Sequence, residues 1–212
     1  AIETAADTAS VVAFTNLGAG ARSDRVRPTT ADDLDRCRAL INRTHDGLDL
    51  FRPYSEDYLD QRMSDPSWGP KPPFYPTVYG LADHRVLEVD GEVVACGGLW
   101  DRGRDLREVW RRGSGDDEER VVVDPTALMD FGFAAGREEA MAELLAHLAA
   151  ESDELGRSGL LAPLQYLPEV VEAAHQLGPQ VETRSLHTNP FTSPELSVEA
   201  EVTRPYIDLA YW

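Results

Sequence analysis

The pattern of apolar and polar residues predicts a chain that mixes strands and helices. Its clearest signal is "HRVLEVDGEVVACGGLW" (84–100), in which two runs rich in β-branched residues flank Asp90-Gly91. An Asp-Gly pair between two such runs is typical of a two-residue hairpin turn. Further strands are predicted where short apolar runs end at glycine, proline or polar residues, at 24–28, 120–124, 126–134, 159–164, 180–188 and 204–212.

Apolar residues that recur every three or four positions predict four helices. The most regular is 137–155, whose inner stripe of Met and Leu side chains ends before a glycine. Thr30 is a good N-cap for another helix, because Asp33 follows three residues later, as in a capping box. The two remaining helices begin near Ser55 and Pro168.

The beginning of the chain differs from the rest. "TASVVAFTNLGAGARSD" is an apolar patch followed by a linker rich in Gly, Ala and Ser. We therefore predict that residues 1–23 are an N-terminal extension or the tail of a preceding domain, and that residues 24–212 form one domain. Val11, Val12 and Phe14 are then expected to lie outside the main sheet.

Composition narrows the class of protein. With 212 residues and 42% hydrophobic residues, the chain can build one sizeable core. Its net charge of −18 argues against nucleic acid as a partner, because phosphate binding needs a basic surface. The absence of a long apolar run or a signal-like start predicts a cytoplasmic protein with no membrane partner. Cys37 and Cys96 match no metal spacing and are predicted to be buried thiols.

One stretch suggests a binding function. In "DFGFAAGREEAMAELL" (130–145) an apolar strand turns through glycine directly into a helix. The first backbone N–H groups of a helix lack partners within it, so such a start can hold a phosphate. The alternative is a plain strand followed by a helix, with Glu138 and Glu139 serving only the helix dipole.

The order of elements resembles the GNAT superfamily of acetyl-CoA-dependent N-acyltransferases over about residues 24–212. "VRPTTADDLDRCRALIN" looks like its first strand and helix, "VLEVDGEVVACGGLW" like its central hairpin, and "ALMDFGFAAGREEAMAELLAHL" like its fourth strand, pyrophosphate loop and third helix. The resemblance implies an α+β (mixed α/β) fold with a central, mostly antiparallel sheet, one parallel strand pair and flanking helices. It also implies acetyl transfer from acetyl-CoA, as co-substrate, to an amine.

The same resemblance assigns cofactor-binding residues. It places the main chain of the fourth strand beside the pantetheine arm and the helix start beside the pyrophosphate. Gly132 would allow a close backbone approach. Glu138 stands where the superfamily has a second glycine, and with Glu139 it opposes an anion that Arg137 and the backbone amides favour. The cofactor-binding set is Met129, Asp130, Phe131, Gly136, Arg137, Glu138, Glu139 and Ala140.

The catalytic groups are less defined. In the superfamily a tyrosine of the fourth helix often protonates the leaving thiolate, and its place here is taken by Ala174. Tyr166 or His175 could substitute, although a lone Tyr or His is usually structural. Candidates for a general base are Glu108 and Asp101 after the hairpin, and His45, Asp46 and Asp49 in the loop after the first helix. No metal cluster is visible.

Three readings of the function remain open. One is an N-acyltransferase with a small-molecule or peptide amine as acceptor. The second is a catalytically silent GNAT-like domain that acts in binding or dimerisation, with a homodimer or a preceding GNAT domain as partner. The third is an unrelated α+β ligand-binding domain. The shared frame of "AFTNLGA" (13–19) and "AAHQLGP" (173–179) points to a tandem protein. The arginine-rich segment 100–112 is interpreted as an exposed turn with internal ion pairs.

Overall fold

The computed structural model describes residues 9–17, 20–48, 51–64, 79–101, 108–112, 119–164, 166–178 and 180–187. These residues form strands and α-helices in the following order: β1 (Ala9–Leu17), β2 (Val26–Pro28), α1 (Leu34–Thr44), α2 (Tyr58–Ser64), β3 (His84–Val89), β4 (Glu92–Trp100), β5 (Glu108–Arg112), β6 (Glu119–Val123), β7 (Thr126–Phe133), α3 (Glu138–Glu154), β8 (Leu160–Ala162), α4 (Pro168–Ala173) and β9 (Gln180–His187).

Within the described residues, the main sheet has seven strands in the order β2-β3-β4-β7-β8-β1-β9. Among the described strands only β7 and β8 pair in parallel, with Thr126 opposite Leu160 and Ala127 opposite Leu161. Helix α3 connects these two strands, as a parallel pair requires. The predicted α+β, GNAT-like architecture is therefore confirmed, including the parallel pairing of "ALMDFGF" with "LLAPL".

The predicted hairpin lies near the centre of this sheet. Asp90 and Gly91 have φ values of 53° and 80°, the left-handed pair that a tight two-residue turn requires. Strand β4 is buried from Val93 to Trp100 because it has β3 on one side, β7 on the other and helices over both faces. The hairpin thus fixes the strand against which β7 is aligned.

The two faces of the sheet have separate cores. Helices α3 and α4 cover one face through Met141, Leu144, Leu145, Leu148 and Val170, all fully buried. Helices α1 and α2 cover the other face. The core on that side contains Leu34, Cys37, Leu40, Ile41, Leu59, Met63 and Cys96, and both cysteines are buried free thiols, as predicted.

Strand β1 contradicts the prediction for the N-terminal residues. It lies between β8 and β9, where Thr15 pairs with Ala162 and Val11 pairs with Ser185. Its last residue, Leu17, is fully buried in the core under α3. The expectation that Val11, Val12 and Phe14 lie outside the main sheet is wrong. These residues belong to the apolar run that forms β1, which pairs with β8 on one side and with β9 on the other. The proposed tail of a preceding domain loses this support.

The described part of the linker, from residue 20, is also packed. A side chain at Gly20 would come within 1.9 Å of the Ala146 carbonyl oxygen, so only glycine fits against helix α3. Arg22 then forms salt bridges with Glu151 and Glu154 of α3, each at 2.5 Å. This segment is therefore a strap that joins β1 to α3 and then to β2.

The arginine-rich segment also differs from its prediction. Residues 108–112 form a strand, β5, which pairs with β6 in a separate two-stranded antiparallel sheet, whereas residues 102–107 lie outside the described residues. The predicted strand 204–212 lies outside the described residues. None of the described helices has the length and apolarity needed to cross a membrane.

Candidate active site

The parallel strands β7 and β8 separate soon after they meet. They pair at only two positions, and β7 then continues from Leu128 to Phe133 beyond its last pairing with β8. Thr126 donates its N–H to the Gly159 carbonyl at the start of the pairing. Beyond Ala127, an opening therefore forms in the sheet with the outer edge of β7 along one side. We call it the β7–β8 opening.

Strand β7 contains a bulge beside this opening. Its register with β4 changes from Met129 opposite Gly98 to Gly132 opposite Cys96, which leaves one extra residue in β7. Asp130 has a φ of 43°, a left-handed conformation that Asp tolerates better than most residues. A bulge of this kind turns side chains and carbonyl groups away from the regular ladder.

The Asp130 side chain is the centre of a buried polar cluster. Its carboxylate accepts hydrogen bonds from Arg62 Nε at 2.8 Å and from the Tyr54 hydroxyl at 2.7 Å. The Arg62 and Asp130 side chains are only 3% and 0% exposed. The Tyr79 ring lies nearby, over Gly98, and burial together with the Asp130 charge raises the pKa of Tyr79 well above its usual value. Helix α2 is thus tied to the bulge by a buried ion pair.

The main chain of Asp130 is held by a second polar group, His84. His84 Nε2 lies 3.0 Å from the Asp130 carbonyl oxygen, and His84 Nδ1 lies 2.8 Å from Thr29 Oγ1. A carbonyl oxygen can only accept, so Nε2 carries the hydrogen and Nδ1 accepts from the Thr29 hydroxyl. Burial lowers the pKa of His84, which keeps the ring neutral.

Aromatic rings gather around His45 beside Phe131 of β7. The ring centroid of His45 lies 4.8 Å from that of Phe131, 5.2 Å from Phe51 and 5.9 Å from Tyr166. His45 Nδ1 donates to the Ile41 carbonyl at 2.8 Å, and burial lowers the pKa of His45 to about 4. The fold therefore brings a candidate base, His45, and a candidate acid, Tyr166, to one place.

The other catalytic candidates lie elsewhere. His175 is exposed, and its Nδ1 is 2.9 Å from the Glu172 carbonyl near the end of α4. Asp101 is salt-bridged to Arg157 at 2.8 Å. Glu108 lies in β5 of the separate two-stranded sheet, and its side chain is outside the described part. Asp46 is exposed, and Asp49 lies outside the described residues.

The expected phosphate-binding turn is present in form. Gly136 has a φ of 67°, and the space where its side chain would lie is empty within 4 Å. Arg137 is exposed, its N–H bonds the Ala134 carbonyl, and α3 begins at the next residue. Ala140 is already buried in the first turn. The turn therefore exposes a helix start, as the sequence predicts.

Carboxylates dominate the groove next to this turn. The groove lies between α3, α4 and the strap and has a volume of about 1090 Å³. Its lining includes five glutamates, Glu138, Glu139, Glu143, Glu169 and Glu172. Glu143 is salt-bridged to Arg25, whereas Glu139, Glu169 and Glu172 are exposed. This negative charge opposes an anion that enters along the groove.

Helix α1 occupies part of the outer edge of β7. Thr44 Oγ1 accepts the Phe133 N–H at 2.9 Å and lies 3.3 Å from the Phe133 carbonyl oxygen. A side chain at Gly132 would come within 2.4 Å of the Ile41 backbone nitrogen. The predicted close backbone approach at Gly132 therefore exists in this structure, but α1 makes it.

Among the described residues, no group of three or more His, Cys, Asp or Glu side chains could hold a metal ion.

Sequence reasoning selected Asp130 only for its main chain and missed its side chain, Arg62, Tyr54 and His84. The available signal was an ionisable residue inside the apolar strand "ALMDFGF".

Comparison with known proteins gives limited similarity. No family model matches the chain, and no curated protein matches it. Among the solved structures that match is N-acetylglutamate synthase from Neisseria gonorrhoeae, complexed with coenzyme A and N-acetyl-glutamate. The two share 16% identity with a TM-score of 0.38, over 77% of this chain and 35% of that one. This chain thus spans about a third of that protein.

Proposed function

We propose that this chain is an acyl-CoA-dependent N-acyltransferase domain, which transfers an acetyl group from acetyl-CoA to an amine. The observation that carries the proposal is the β7–β8 opening, which has a bulge at Asp130 on one side, together with the contacts of His45 with Phe131 of β7 and with Tyr166. The resemblance of the strand order to the GNAT superfamily supports the same activity.

Acetyl-CoA fits best at the start of α3. Gly136 leaves open space, and Arg137 is exposed beside the first amides of the helix. These groups would hold the pyrophosphate by main-chain hydrogen bonds and one positive charge. The pantetheine arm would lie along the outer edge of β7 from Met129 to Phe131. Bound there, acetyl-CoA supplies the activated acetyl thioester.

The chain's own groups would then move protons. Tyr166 is the better candidate acid for the leaving thiolate, because its ring contacts His45, which in turn contacts Phe131 of β7, whereas His175 is exposed just after α4. His45 is neutral above about pH 4, so its ring can accept a proton from the ammonium of the acceptor. Because its pKa is low, His45 is a weak base. The acceptor amine must also pass between the aromatic rings that surround His45 to reach it.

Calorimetric titration with acetyl-CoA tests the proposal. Saturating ligand at 100 times its dissociation constant should also stabilise the folded state by roughly 2.7 kcal/mol. Glu138→Gly/Glu139→Ser should bind more tightly, most clearly at low salt, because two repelling charges are removed. The control is Asp32→Ser/Asp60→Ser, which changes the net charge equally at exposed positions outside the groove.

The outcomes separate the alternatives. Equal tight binding by the wild type and the Glu138/Glu139 variant would mean that these acids never face the ligand. Binding by the variant alone would indicate a silent site closed by its own carboxylates. Binding by neither would contradict the proposed activity.

A catalytically silent GNAT-like domain that acts in binding or dimerisation is the second candidate. Two observations favour it. Thr44 already takes the N–H of Phe133 on the outer edge of β7, and five glutamates line the groove beside the helix start. If neither protein binds acetyl-CoA in the titration above, this candidate becomes the preferred one.

A further inference from the structure

His84, the buried histidine of β3, bonds a main-chain carbonyl on the far side of the neighbouring strand β4. His84 is paired with Gly98 of β4, and Gly98 is paired with Met129 of β7, so the three residues form one row across the sheet. From β3 the His84 ring spans β4 and reaches the Asp130 carbonyl in the next strand but one. Gly98 has no side chain, and the Tyr79 ring occupies the space over it.

His84 forms its hydrogen bond with Asp130, the bulge residue that has a left-handed conformation. Asp130 is the left-handed residue at which the register of β7 changes. A buried carbonyl that is turned out of the ladder is costly when no donor bonds it. His84 Nε2–H supplies that donor, and Thr29 fixes the tautomer by donating to Nδ1.

We propose that His84 is a positioning residue for acyl transfer, which holds the Asp130 bulge so that the outer edge of β7 can receive the acetyl-CoA arm. This inference rests on the proposed acyltransferase function. His84 acts through the main chain of β7 and does not touch the ligand. Its neutral Nε2–H form is the state that performs this role.

The test compares three proteins by NMR and calorimetry. His84→Leu removes the donor, whereas His84→Gln keeps an N–H donor close to the position of Nε2. Val26→Ala in edge strand β2 serves as a destabilised control far from the bulge. Urea unfolding first establishes that each protein is folded and by how much it is destabilised.

Binding of acetyl-CoA and of CoA is then measured for each folded protein. We expect His84→Leu to weaken both ligands by about tenfold or more, as the loss of a main-chain hydrogen bond to the arm would do. His84→Gln should restore most of that affinity, and Val26→Ala should leave it unchanged. In the ligand-free proteins, the backbone amide shifts of Asp130 to Phe133 should move in the Leu variant and return in the Gln variant.

Several results would overturn the inference. A ¹⁵N spectrum with the Nδ1–H tautomer of His84 would contradict the hydrogen bond to Asp130. Wild-type affinity in folded His84→Leu would show that the role is structural only, with the acyltransferase proposal intact. If the wild type binds neither acetyl-CoA nor CoA, the proposed function fails, and the positioning role fails with it.

Discussion

Replacement of Asp130 by Asn should strongly destabilise the fold. Asn tolerates the left-handed φ of 43° as Asp does, so the bulge itself is not disturbed. The change removes the carboxylate charge that Arg62 Nε bonds at 2.8 Å, with both side chains at most 3% exposed. A buried charge that loses its partner typically costs about 3–5 kcal/mol.

The size of the effect can be compared with an exposed pair. Asp35 and Arg38 also form a salt bridge, but the Asp35 side chain is 84% exposed. Asp35→Asn is expected to cost less than about 1 kcal/mol, because water screens the charges and already solvates them. Urea unfolding at pH 7, monitored by circular dichroism, should therefore shift the midpoint strongly for Asp130→Asn and slightly for Asp35→Asn, with the same slope m.

The double variant Arg62→Met/Asp130→Asn isolates the ion pair. Removing both charges avoids leaving either charge of the pair without the other, so the destabilisation of the double variant should be smaller than the sum of the two single changes. An additive result would refute the reasoning, as would a loss below about 1 kcal/mol for Asp130→Asn. Either would mean that water or the other groups around Arg62 compensate its charge without Asp130.

Two more predictions concern packing and pH. Gly132→Ala should lower the free energy of unfolding in urea by about 1–3 kcal/mol. Its methyl group would lie 2.4 Å from the Ile41 nitrogen and 2.5 Å from the Leu40 carbonyl carbon, a clash that only a shift of α1 can relieve. The control Gly97→Ala should cost less, because its methyl group would meet side-chain atoms at 3.2 Å. Stability should also fall below pH 6.5, because the pKa of His45 is lowered to about 4 and the unfolded state takes up a proton first. Between pH 7 and 5 the loss from His45 is about 2 kcal/mol, and His45→Phe should show a weaker pH dependence by that amount. An equal pH dependence in both proteins would show that His45 is hydrated.

Local signals in the sequence were sufficient for several elements. Asp90-Gly91 fixed the central hairpin because few residue pairs adopt two consecutive left-handed conformations at low cost. The Thr30 N–H does bond the Asp33 carboxylate, at 2.8 Å, at the start of the first helical segment. Helix α3 begins and ends within one residue of its predicted bounds. In each case neighbouring residues decide the conformation.

Only the tertiary structure decided how distant parts meet. The apolar run of β1 has the composition of a strand, but its place between β8 and β9 depends on which edges the rest of the chain leaves open. Similarly, Asp130 meets Arg62, which lies 68 residues away, and its carbonyl meets His84. These contacts follow from the bulge and register of β7, which arise from the packing of α1, α2 and β4 together. The periodicity of apolar residues shows which face of a strand is apolar, but it does not show which distant side chain lies against that face.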